Sequence, residues 1–124
     1  MGYFKKRKQA FKVAGIGLYR MFSSEAHAKI HLVATVAAIA LAAFLRCSAL
    51  EWCAIILCIG IVISAEAVNT AVEKLADRIT TERDPLIGAA KDIAAGAVLI
   101  VAAAALAVGL IIFLPKILNF ILYV

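Results

Sequence analysis

Residues 64–92 read SAEAVNTAVEKLADRITTERDPLIGAAKD. Glu66 closes an apolar run, and Asn69, Glu73 and Asp77 follow it at steps of three, four and four residues. Those steps place all four side chains on one face of a helix. The run that precedes them is hydrophobic enough to enter a bilayer, where a carboxylate costs roughly 2.5–3.5 kcal/mol. Something must offset that cost, and an ionisable side chain inside a span points to function.

Outward from this stretch the chain keeps the same character. Hydrophobic residues make up 65% of its 124 positions, and the mean hydropathy is +1.02. An ordinary soluble domain is excluded; the composition is that of an integral membrane protein, and helices satisfy every backbone polar group within one segment. The reading is a single all-α, membrane-embedded domain over residues 1–124. Its spans are expected at about 28–46, 52–72 and 92–114. The second and third have the roughly 20 apolar residues that a bilayer core requires, and the first is shorter. No cleavable leader is expected in MGYFKKRKQAFKVAG, and Lys6 breaks the myristoylation pattern that Gly2 begins. Cys47, Cys53 and Cys58 are odd in number and lack C-x-x-C spacing. They read as small apolar residues near or in a span, not as a disulfide or metal set.

Charge placement sets the orientation. Lys5, Lys6, Arg7, Lys8, Lys12, Arg20 and Lys29 precede or open the first span, and Lys74, Arg78, Arg83 and Lys91 lie between the second and third. Only Arg46 and Lys116 fall on the other side. The positive-inside rule then puts the N-terminus and the 72–92 loop in the cytoplasm, with the C-terminus outward. Within residues 1–27, Phe4, Phe11, Leu18 and Phe22 form a stripe that Val13, Ile16 and Met21 widen. With its basic side chains this predicts an amphipathic helix on the anionic inner leaflet, which Gly15 and Gly17 weaken. The chain turns at Thr80–Pro85, where Asp84 is biased to extended geometry and Pro85 can open the next helix. The third span is rich in small residues, Ala94 to Ala97 with Gly96 among them and then Ala102 to Ala105, which let membrane helices approach closely.

Near the cytoplasmic boundary stand Glu25, Glu66, Asn69, Glu73, Asp77, Lys91 and Asp92. Mg²⁺ takes oxygen ligands, usually one or two carboxylates with phosphate oxygens and water. Phosphoryl transfer needs such a metal, cations on the phosphates and a base for the nucleophile. Glu66 and Glu73 lie about 10 Å apart along a helix axis. One can sit at headgroup depth while the other faces the cytoplasm, so a lipid and a nucleotide could meet between them. There is no G-x-x-x-x-G-K-[ST] phosphate loop. Three other readings stay open on the residues alone: polar glue between helices, a proton-coupled carrier using Glu66, and a purely structural subunit.

The segment EAVNTAVEKLADR, Glu66 to Arg78, resembles the signature of the small prokaryotic diacylglycerol kinase family, E-x-x-N-[ST]-A-[IV]-E-x-x-x-D. Ala90-Lys91-Asp92 and Ser24-Glu25-Ala26 are similar to its other two landmarks, and the likeness runs from roughly Phe11 to Ile117. In EWC from Glu51, LCIG from Leu57, KDIAAGAV from Lys91 and IIFLPK from Ile111, the texture resembles the undecaprenol kinase branch of Gram-positive bacteria. Ala95 stands where the Gram-negative diacylglycerol kinase has a serine. The resemblance implies a homotrimer in the bacterial cytoplasmic membrane that uses ATP and Mg²⁺ to phosphorylate a lipid hydroxyl, undecaprenol before diacylglycerol. It implies Glu66 as catalytic base and Glu25 and Glu73 as metal ligands, with Asn69, Asp77, Lys91 and Asp92 completing the polar site. Glu82 matches a nucleotide-contacting segment, although Arg83 and Asp84 depart from it, and Lys6 is the nearest match to a phosphate-reaching basic position. His31 and Trp52 read as interfacial anchors.

Overall fold

The computed structural model describes residues 2–123 as four helices: α1 (Tyr3–Ser24), α2 (Ala26–Phe44), α3 (Ala49–Ile79) and α4 (Pro85–Tyr123). The helices α2, α3 and α4 are each long and apolar enough to cross a membrane. At 1.5 Å per residue the 31 residues of α3 extend about 46 Å and the 39 of α4 about 58 Å, against a hydrocarbon core of about 30 Å. Both helices therefore outrun the expected spans. Hydropathy marks the lipid-facing portion, whereas α3 continues through the charged but helix-forming Lys74–Arg78 and α4 begins before its span, at the Asp84-Pro85 start.

The breaks between helices have local causes. Between α1 and α2 a single residue, Glu25, takes an extended conformation (φ −97°, ψ 124°), and its N–H still donates to Met21 O at 3.0 Å. At the end of α2 the N–H of Cys47 donates to Ala42 O and that of Arg46 to Ala43 O, with Arg46 left-handed at φ 54°. This is a Schellman closure with arginine in the place glycine usually takes. The next helix starts in a capping box: Ser48 Oγ accepts from Glu51 N–H, and Glu51 Oε1 accepts from Ser48 N–H. The signature S-x-x-E is visible in the sequence at Ser48–Glu51. Asp84 Oδ1 accepts from both Leu86 and Ile87 N–H at 3.0 Å, so the Asp84-Pro85 pair supplies cap and first turn of α4 together.

The most extensive helix pairing is α3 with α4. An apolar cluster of Ala42, Ile55 and Ile112 joins α2, α3 and α4, and Cys47, Trp52 and Phe113 pack against it. Trp52 is thus half-buried in this packing. On the same end, Lys116 Nζ lies 3.1 Å from Glu51 Oε1. From this cluster toward His31 runs an open apolar pocket of about 460 Å³ lined by α2, α3 and α4, with Ile55, Phe113, His31 and Thr35 among its walls. Little else is covered by the chain itself: none of the most apolar window of α4 is buried, and Leu50, Leu86, Leu99 and Ile111 are exposed.

Candidate active site

Nine of the described residues are buried, and three of them are polar: Glu66, Asn69 and Thr70. All three fall within five consecutive positions of α3, so the polar interior is one local feature and not a scatter. The step from Glu66 to Asn69 to Glu73 keeps the three on one face as the spacing requires. Asn69 Nδ2 donates to Glu73 Oε1 at 3.4 Å, while Asn69 Oδ1 is buried with no partner. An acceptor left unpaired in the interior costs free energy unless a ligand completes it.

Glu66 has 8% of its side chain exposed, and its Oε2 lies 3.5 Å from His31 Nε2 on α2. His31 therefore faces the carboxylate, and the expectation of an interfacial anchor is corrected. The signal was absent from the sequence because 35 positions separate the two residues and no periodicity links them. Thr70, buried beside Asn69, was likewise not singled out.

The remaining candidates lie closer to the exposed end of α3. Lys91 Nζ is 2.6 Å from Asp77 Oδ1, which joins the start of α4 to the end of α3. Glu25 Oε1 lies 4.0 Å from Lys74 Nζ, next in sequence to Glu73, so the α1–α2 break is brought to the same part of α3. Asp92 is exposed, one position past Lys91. Glu82 is exposed in the turn, with its N–H donating to Thr80 Oγ1 at 3.0 Å. Lys6 is exposed on the first turns of α1. Among the described residues neither Glu82 nor Lys6 is paired with the Glu66–Asp77 row.

The donor set suits a hard cation. Glu25 and Glu73 offer oxygen only, and Asn69 Oδ1 is an unsatisfied oxygen next to Glu73. Among the described residues no three His, Cys, Asp or Glu side chains converge.

Fold and site together define a small all-helical membrane protein whose buried carboxylate stands beside a cluster of acidic and basic groups. The family model for prokaryotic diacylglycerol kinase matches residues 12–113, and the chain belongs to that family. It is 40% identical to an undecaprenol kinase of Bacillus subtilis over 108 residues, covering 87% of this chain and 88% of that protein. It is 34% identical to a diacylglycerol kinase of Synechocystis over 111 residues, which is 89% of this chain and 63% of that longer protein.

Proposed function

We propose that this protein is a lipid kinase that transfers the γ-phosphoryl group of ATP to the hydroxyl of a membrane lipid. Undecaprenol is the preferred acceptor in this reading and diacylglycerol the second. The observation that carries it is the buried Glu66, one helical turn from Asn69, whose oxygen lacks a partner, and two turns from Glu73. A carboxylate at that depth can meet a hydroxyl delivered from the bilayer, while the polar row leads toward the nucleotide. Family membership removes the ground for a carrier or a purely structural subunit.

In this reaction the acceptor oxygen bonds to the γ-phosphorus as the bridging bond to the β-phosphate breaks. ADP leaves with the bonding electrons, and the hydroxyl proton passes to Glu66. Glu25 and Glu73, with Asn69 beside them, would hold Mg²⁺, which when bound neutralises charge on the phosphates. Lys91, oriented by Asp77, supplies a fixed cation at the mouth of the site, and Asp92, Glu82 and Lys6 serve the nucleotide. Protein chemistry of this kind is positioning plus electrostatics.

The assembly is a homotrimer in the bacterial cytoplasmic membrane, with α1 on the inner leaflet. Two features support it: α4 is rich in small residues that suit close helix–helix contact, and the basic residues concentrate on one side. The acceptor assignment follows the 40% identity to the Bacillus enzyme and the alanine at position 95. Purified protein in mixed micelles, supplied with γ-labelled ATP and Mg²⁺, should label undecaprenol faster than diacylglycerol under matched conditions. The reverse order would exchange the two acceptors, and label in neither lipid would overturn the kinase reading.

A further inference from the structure

We propose that His31 is a positioning residue for the base: its Nε2 holds one oxygen of the Glu66 carboxylate and leaves the other free for the acceptor hydroxyl. The inference rests on Glu66 being the base, as argued above, and adds a residue from a different helix to that site.

The carboxylate of Glu66 is almost wholly buried, and His31 Nε2, 3.5 Å from Oε2, is its sole charge partner among the described residues. The polar neighbours on α3, Asn69 and Glu73, pair with each other. Control over the orientation of Glu66 thus falls to α2. A neutral imidazole with its proton on Nε2 is sufficient, since it donates while the carboxylate accepts. The separation is longer than a hydrogen bond, and catalytic contacts in a ligand-free site often tighten only when substrate is bound.

The second observation is where the ring stands. His31 also lines the apolar cavity between α2, α3 and α4, so it occupies the seam between that cavity and the carboxylate. His31 thus meets Glu66 from α2, on the pocket side, while Asn69 and Glu73 run along α3. On the same turn of α2, Thr35 Oγ1 donates back to His31 O at 2.7 Å. A carboxylate on a flexible side chain samples several rotamers, and fixing one oxygen concentrates the population in which the other points at the reacting hydroxyl. Misplacement of a reacting group by about 1 Å can cost on the order of 100-fold in rate.

A ring that only fills space at the α2–α3 contact would make a different prediction. The test compares His31→Phe, which keeps ring volume but has no donor, with His31→Gln, which keeps an N–H within reach. Both are assayed as purified protein in micelles with ATP and lipid varied separately, after melting in detergent confirms folding. His31→Phe should lower kcat by about 10- to 100-fold with little change in KM for either substrate, and His31→Gln should restore most of the loss. In a Glu66→Gln background, His31→Phe should cost nothing further. Wild-type kcat in His31→Phe, or a full additional loss on top of Glu66→Gln, overturns the role of His31. If Glu66→Gln alone keeps normal turnover, the base assignment fails with it; if that variant is crippled while His31→Phe is normal, only the present inference fails.

Discussion

The two ends of α3 carry polar groups of the same kinds and treat them differently. At one end Glu51 accepts from Ser48 N–H at 2.8 Å and pairs with Lys116 of α4 at 3.1 Å. At the other, Asp77 pairs with Lys91 of α4 at 2.6 Å. The two helices are thus clasped at both ends by an acid from α3 and a lysine from α4. Between the clasps the pattern breaks. Glu66 is more deeply buried than Glu51 yet has only a histidine at 3.5 Å, and Asn69 keeps an oxygen with no partner. Polar groups that serve the fold are satisfied within it; those left incomplete inside an apolar chain await a ligand. Glu51 and Glu66 thus differ in satisfaction as well as in burial: the first is fully partnered within the chain and the second is not.

After Glu66 itself, the largest break in this contrast comes from Glu73. Glu73→Gln should raise the Mg²⁺ concentration needed for half-maximal activity by at least the roughly 10–100-fold that losing an outer partner of a metal ligand costs. Excess Mg²⁺ should recover part of the rate. A magnesium titration with ATP in excess reads this directly, and an unchanged midpoint would remove Glu73 from the metal site.

A smaller effect sharpens the other end. Burial pushes the Cys47 thiol up, with Glu51 adding to the rise and Lys116 opposing it. Thiolate is the reactive form, so labelling should be slow at neutral pH and quicken as pH climbs toward the raised value. With Cys53 and Cys58 replaced by alanine, an impermeant maleimide should reach Cys47 in intact cells. Labelling only after the cells are opened would reverse the topology, and a rate that rises over the same pH range as that of a free thiol, and no higher, would contradict the shielded thiol.

The smallest effect concerns Arg46, left-handed at the close of α2. A side chain in that conformation costs roughly 1–2 kcal/mol, and the greater freedom of glycine in the unfolded chain offsets about half of the gain on replacing it. Arg46→Gly should stabilise the protein by up to about 1 kcal/mol and leave turnover alone. Thermal melting in detergent measures it; a lower midpoint would mean that the guanidinium contributes more than its backbone costs.

Much of this arrangement was legible in the sequence. The three spans follow from apolar runs, and the Glu66–Asn69–Glu73–Asp77 face from helical spacing. The turn at Thr80–Pro85 and the helix start at Pro85 were legible as well, and α3 ends at Ile79 while α4 opens at Pro85; the run of α4 past the expected span to Tyr123 was not. The Ser48–Glu51 box is written in the sequence as S-x-x-E and marks the start of α3. Contacts between distant positions were not legible at all. Nothing local tells His31 that it will meet Glu66, or Lys116 that it will meet Glu51. The pairing of Asp77 with Lys91 was half legible: both were placed in one polar site, but only the short turn at 80–84 and the cap at Asp84 bring them to 2.6 Å.

The most direct measurement sets Glu66→Gln beside Glu51→Gln in the same radiolabel transfer assay. Both substitutions remove a carboxylate charge from α3 and keep its shape. Base catalysis is typically worth roughly 10²–10⁴-fold, so kcat of Glu66→Gln should fall by that order, with ATP affinity unchanged and no recovery by added Mg²⁺. Glu51→Gln should keep near-normal turnover and lose only stability. Near-normal turnover in Glu66→Gln would contradict the assignment and leave Glu66 as one more structural acid.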